Sequence, residues 1–111
     1  MSVPFRSVDE TIQEMARRIV EKFHPEKIIL FGSHARGTAT PDSDVDLLVV
    51  MPVKGPRRHV AAQLYVLLAG MGIAKDIVVV TPADLKDYAD LPGTIIQPAL
   101  QEGKTLYDRA A

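Results

Sequence analysis

Gly32-Ser33 closing one apolar run and Asp44-Val45-Asp46 opening the next constrain this chain more than any other feature. Lys27-Ile28-Ile29-Leu30-Phe31 is rich in β-formers and bounded by Pro25 and Gly32, so Gly32-Ser33 stands where a strand ends. After ten intervening residues, Asp44 and Asp46 head Leu47-Leu48-Val49-Val50, a second strand. Side chains alternate faces along a strand, so Val45 turns into the core and both aspartates point the same way. Their Cα atoms then lie roughly 6–7 Å apart, from a rise of about 3.3 Å per residue. Two carboxylates so placed suit a hard cation such as Mg²⁺, which takes oxygen ligands and leaves room for substrate phosphates.

The other side of this geometry is an anion site. His34, Ala35 and Arg36 supply one helical turn before Gly37 stops it. A strand-to-helix turn presents backbone N–H groups and the positive end of a helix dipole. Glycine at position 32 lets a phosphate approach the backbone, and the Ser33 hydroxyl adds a donor. A third acid, Asp76, heads Ile77-Val78-Val79-Val80-Thr81, which ends at Pro82. Acids heading apolar strands are costly to bury unpaired, and three together repel one another, so a cation is their natural counter-charge. The plain alternative for Asp76 is a solvated acid at a loop end.

Composition narrows the class. The chain of 111 residues reads as a single domain, 1–111, and 47% hydrophobic content is enough for a real core. No apolar run reaches the length of a membrane span and no basic-then-apolar leader opens the chain, so a cytoplasmic protein is expected. Absence of cysteine removes disulfides, zinc thiolates and thiol catalysis. A formal net charge of -1 argues against strong nucleic-acid binding.

Helical and strand patterns alternate, which implies an α/β (α+β) fold: a small mixed sheet of three or more strands with a helix layer packed against it. Ser7-Val8-Asp9-Glu10 reads as a capping box, followed by Val8, Ile12, Met15, Ile19 and Phe23 on one helical face, closed by His24-Pro25. Val60, Leu64, Leu67, Leu68 and Met71 mark a second amphipathic helix, with Pro56 at its first position and an end at Gly70 or Gly72. The strand from Asp76 reads as the last one. Asp84 to Asp90 then forms a short helix or turn, and Leu91 to Glu102 a final helix with Pro98 near its start or at a kink.

Taken together, Gly32-Ser33, Asp44, Asp46 and Asp76 resemble the signature of the DNA polymerase β-like nucleotidyltransferase superfamily. Ala35-Arg36-Gly37, Ser43 and Glu102-Gly103-Lys104-Thr105-Leu106-Tyr107 are similar to its minimal nucleotidyltransferase members, over about residues 8 to 108. The resemblance implies a polymerase β-like core that moves an NMP, most simply AMP from ATP, to a hydroxyl. It implies Asp44, Asp46 and Asp76 as catalytic ligands of two Mg²⁺ ions, with Asp76 also receiving the acceptor's proton, and Gly32 and Ser33 as holders of the β- and γ-phosphates. Minimal members commonly pair with a HEPN-domain ribonuclease toxin, so the resemblance implies an antitoxin, a toxin tyrosine as acceptor, and a homo- or hetero-oligomer. A non-catalytic antitoxin that neutralises by complex formation is the competing reading, and small-molecule nucleotidylation a weaker third.

Secondary candidates are less defined. Arg36 either neutralises phosphate charge as a nucleotide-binding residue or pairs with Asp42 or Asp44. His34 is read as a solvated loop residue in preference to a substrate contact, and Asp42 as an exposed acid. Lys54, Arg57, Arg58 and His59 form a basic cluster at a helix start, either a solvated face or the seat of a partner anion. Tyr107 reads as a packing residue.

Overall fold

The computed structural model describes residues 7–110. Four strands form one mixed sheet in the order β3-β2-β1-β4: β1 (Lys27–Phe31), β2 (Val45–Val50), β3 (Lys75–Val80) and β4 (Lys104–Asp108). β1 runs antiparallel to β2 and β4, whereas β2 and β3 are parallel. That parallel pair requires a crossover, supplied by α3 (Arg57–Leu67).

Both sheet faces are covered, which is why β2 reads as an almost unbroken apolar run instead of an alternating one. Ile28, Leu30, Val45, Leu47, Val49, Ile77 and Val79 pack with Ile12, Met15 and Ile19 of α1 (Val8–Phe23) and with Leu64 of α3. On the opposite face Ile29, Phe31, Leu48, Val50 and Val80 meet Ile96 and Ala99 of α5 (Ile96–Glu102), with Leu85 of α4 (Pro82–Tyr88) at the margin. Asp46 is the polar interruption in β2, and it lies on this second face, opposite to buried Val45 and Leu47.

Ser7 caps α1 as expected, accepting a hydrogen bond from the Glu10 amide at 3.1 Å. The return contact differs from a capping box: the Ser7 hydroxyl itself donates to Glu10 Oε1 at 3.3 Å. His24 ends the helix in the left-handed region at φ 49°. α2 (Ser33–Arg36) is the single turn expected, closed by Gly37 at φ 77°. α3 begins one residue after Pro56, which caps it, and ends at Leu67, so Leu68 and Met71 are buried beyond the helix end. Of the basic cluster, Arg57 has a partner anion, Asp84, at 2.5 Å.

The C-terminal third departs most from the sequence reading. The polar segment after β3 is α4, set by a complete capping box between Thr81 and Asp84 with Pro82 in the first turn. The expected helix from Leu91 shrinks to α5, whose first turn accommodates Pro98. β3 is not the last strand: β4 follows and adds to the free edge of β1, with a bulge between Ile28 and Ile29. Its residues Lys-Thr-Leu-Tyr-Asp carry little apolar signal because they line an edge. Tyr107 packs against the first core cluster, as a packing residue should.

Gly103 makes this last turn possible. Its amide donates to Ala99 O at 2.9 Å, and a Cβ there would drive into that carbonyl and into Ile29 Cγ2. Gly103→Ala should destabilise the fold by about 1–3 kcal/mol, read as a lower urea midpoint with an unchanged m-value. An unaltered midpoint would contradict this packing.

Candidate active site

The site forms where β1, β2 and β3 meet at one end of the sheet. β1 ends at Phe31, which is paired with Asp46. The chain then turns through Gly32 into α2. Gly32 has φ 74°, a conformation that favours glycine, and the space a Cβ would fill is occupied by Asp46 Oδ2. Glycine is therefore required twice here, by the backbone and by the carboxylate pressed against it. The turn is held by hydrogen bonds from Ala35 N and Arg36 N to Gly32 O, both 3.1 Å. α2 is only four residues long, so its dipole is small; what it offers a phosphate is the first-turn amides and the Ser33 hydroxyl.

Parallel pairing sets Asp46 of β2 beside Asp76 of β3. Facing residues of adjacent strands share a face, so both carboxylates stand on the α5 side of the sheet. Asp44 precedes β2 and is exposed, as is Asp76, whereas Asp46 is half-buried. Burial first, then repulsion from Asp76 and Asp44, pushes the Asp46 carboxyl above the usual range, with His34 and Arg36 acting in the opposite sense. The three acids are thus electrostatic neighbours. Among the described residues, however, no three acidic or histidine side chains already stand close enough together to hold a metal ion.

The surroundings correct two expectations. Arg36 pairs with neither Asp42 nor Asp44: α2 points it toward α5, where it meets Glu102 at 3.5 Å. His34 is not simply solvated, since its Nε2 lies 3.3 Å from Ser43 O. A carbonyl can only accept, so Nε2 carries the proton in this contact. Together with Thr40 N donating to Ser43 Oγ at 2.8 Å, it ties the loop before Asp44 to α2. Asp42 is exposed, as expected.

One residue at the site escaped sequence reasoning. Tyr65 of α3 donates to Asp76 Oδ1 at 3.2 Å and accepts from Ile77 N at 2.9 Å. Nothing in the helical pattern marks it, because it belongs to the exposed face of α3.

Comparison with known proteins turns this geometry into a family assignment. Residues 12–104 match the nucleotidyltransferase domain family. The chain belongs to that family. It is 35% identical over 94% of its length to the putative protein adenylyltransferase MJ1305 of Methanocaldococcus jannaschii, 74% of which is covered. Among solved structures, a putative nucleotidyltransferase from Sulfolobus solfataricus superposes with TM-score 0.63 at 19% identity, covering 91% of this chain and 80% of that one. A chain from a toxin-antitoxin complex with AMP-PNP gives TM-score 0.58 at 23% identity, covering 86% and 73%. The protein is a nucleotidyltransferase with the fold of these structures.

The electrostatics of this nucleotidyltransferase are testable without substrate. A carboxyl whose folded pKa is raised favours its neutral form in the fold. Stability therefore falls as pH rises from the ordinary carboxylate range through the raised value, and the penalty is fully present above it. Asp46→Asn removes that penalty. In the absence of divalent cations the variant should melt above the parent at pH 7, with the difference vanishing below about pH 4. A parent that is equally stable at neutral pH would refute the crowding of these acids.

Proposed function

We propose that this nucleotidyltransferase transfers AMP from ATP to a protein hydroxyl, the acceptor being a tyrosine of a HEPN-domain ribonuclease toxin that it thereby silences as an antitoxin. One observation carries the reading: the parallel register that sets Asp46 beside Asp76, with Asp46 pressed against the Gly32 turn. A relative named as a putative protein adenylyltransferase and a structural neighbour from a toxin-antitoxin complex with AMP-PNP support the acceptor class and the setting. A cytoplasmic location, beside the nucleotide pool and the partner, is part of the proposal; no helix among the described residues is long and apolar enough to cross a membrane.

Asp44, Asp46 and Asp76 are the groups that would hold divalent cations. All their donor atoms are hard oxygens, and the raised Asp46 carboxyl is a charge conflict that a cation relieves, so the set fits Mg²⁺. When bound, two such ions stabilise the attacking and leaving oxygens of an in-line displacement. The chain's own groups do the rest. The Gly32 turn and the Ser33 hydroxyl hold the β- and γ-phosphates and so orient pyrophosphate as leaving group. Asp76, exposed at the outer edge of the sheet, accepts the acceptor hydroxyl's proton directly or through water. The bond formed is acceptor oxygen to α-phosphorus, and the bond broken joins that phosphorus to pyrophosphate. Positioning of this kind supplies much of the rate in phosphoryl-type transfers. Arg36, exposed and in a 3.5 Å pair with Glu102, is free to turn toward phosphate charge at little cost.

A second reading, an antitoxin that only binds its partner, draws on the fact that among the described residues no three acidic or histidine side chains form a ready-made metal cluster. Incubation with Mg²⁺ and each labelled NTP, with and without a toxin encoded alongside, separates the two. Label on a tyrosine of the toxin is the expected result, and Asp44→Asn or Asp46→Asn should abolish it while leaving the fold intact. A tight complex that never acquires label selects the binding module, and full transfer by purified Asp46→Asn would remove the catalytic assignment.

A further inference from the structure

Tyr65 reaches the site from the wrong side of the sheet. Its helix packs on the face opposite to Asp46 and Asp76, through Leu64. β3 is an edge strand, and the Tyr65 side chain passes round that edge to the start of the strand. There its hydroxyl makes two contacts that fix each other's direction. Ile77 N can only donate, so the phenol oxygen accepts at 2.9 Å. The single phenolic proton is then left for Asp76 Oδ1, 3.2 Å away.

We propose that Tyr65 is a positioning residue: anchored on the Ile77 amide, its hydroxyl holds one oxygen of Asp76 at the sheet edge and leaves the other for a divalent cation. The inference rests on the reading of Asp76 as a metal-holding acid. Asp76 is exposed and has no ion-pair partner among the described residues, so without Tyr65 its carboxylate would rotate through several orientations. Carboxylates that hold metals are commonly oriented by such a hydrogen bond, and its loss costs about tenfold or more in metal affinity or activity. Capping of the edge-strand amide alone would explain the Ile77 contact but not the approach of the hydroxyl to Asp76 Oδ1.

The test is a calorimetric titration of the whole chain with Mn²⁺, using the parent, Tyr65→Phe, Asp76→Asn and the double variant. Tyr65→Phe keeps the ring and removes only the hydroxyl. It should bind Mn²⁺ about tenfold more weakly and transfer nucleotide with a kcat about tenfold lower, at a KM for the nucleotide within about twofold of the parent's. In the Asp76→Asn background the same change should have no further effect on Mn²⁺ affinity. Parental Mn²⁺ binding by Tyr65→Phe overturns the inference, as does an equal further loss in the Asp76→Asn background, which would mark a purely structural role. Nucleotide found on Tyr65 itself also overturns it, making the phenol an acceptor and not a support. Failure of Tyr65→Phe to fold would assign the residue to the Ile77 amide instead. Asp76→Asn with unchanged Mn²⁺ binding removes the underlying reading of the site, whereas a defective Asp76→Asn beside a parental Tyr65→Phe removes only the role of Tyr65.

Discussion

The parallel register between β2 and β3 is the constraint on which the rest of the site depends. It places two acids from segments thirty residues apart side by side, on the same face, at the same end of the sheet. A slip of one residue would turn Asp76 to the α3 side and bury it among leucines and valines, at a cost no local interaction could offset. The register is secured by the apolar residues that follow each acid. Ile77 and Val79 interlock with Leu47 and Val49 on one face while Val80 joins Leu48 and Val50 on the other. The acids stand where they do because the hydrophobic residues behind them cannot stand anywhere else.

Gly32 joins the two halves of the site. The same residue that opens the turn after β1 leaves the space into which the Asp46 carboxylate fits. A phosphate on that turn would lie next to the acid, and the proposed divalent cations would neutralise the resulting repulsion. The raised carboxyl of Asp46 is the same conflict seen in the protein alone. Such stored electrostatic tension is common where a site is shaped for a charged ligand instead of for stability.

The loop and helix contacts around the acids are modest individually. His34 against Ser43, Thr40 against Ser43, Arg36 against Glu102 and Tyr65 against Asp76 each engage exposed or half-exposed groups. Pairs of this kind contribute little to folding. They constrain direction, and direction is what in-line transfer between two substrates demands.

Sequence alone determined the family and most of the local structure. The Gly-Ser turn, the acids at the heads of β-branched runs, the one-turn helix closed by Gly37 and the capped α1 all follow from interactions within a few residues. Periodicity, capping and turn chemistry are local, so they can be read without a fold. Only the tertiary structure decided what depends on distant partners. β4 is recognised as a strand because the free edge of β1 needs hydrogen bonds, not because Lys104 to Asp108 carry a strand pattern. Arg36 finds Glu102 in place of the nearer acids, and Tyr65 finds Asp76 round a sheet edge, because side chains far apart in sequence meet only after the core has set the strands. The pairing of Asp46 with Asp76 belongs to both: its residues were visible in the chain, and their adjacency came from the packing of the apolar residues that follow them.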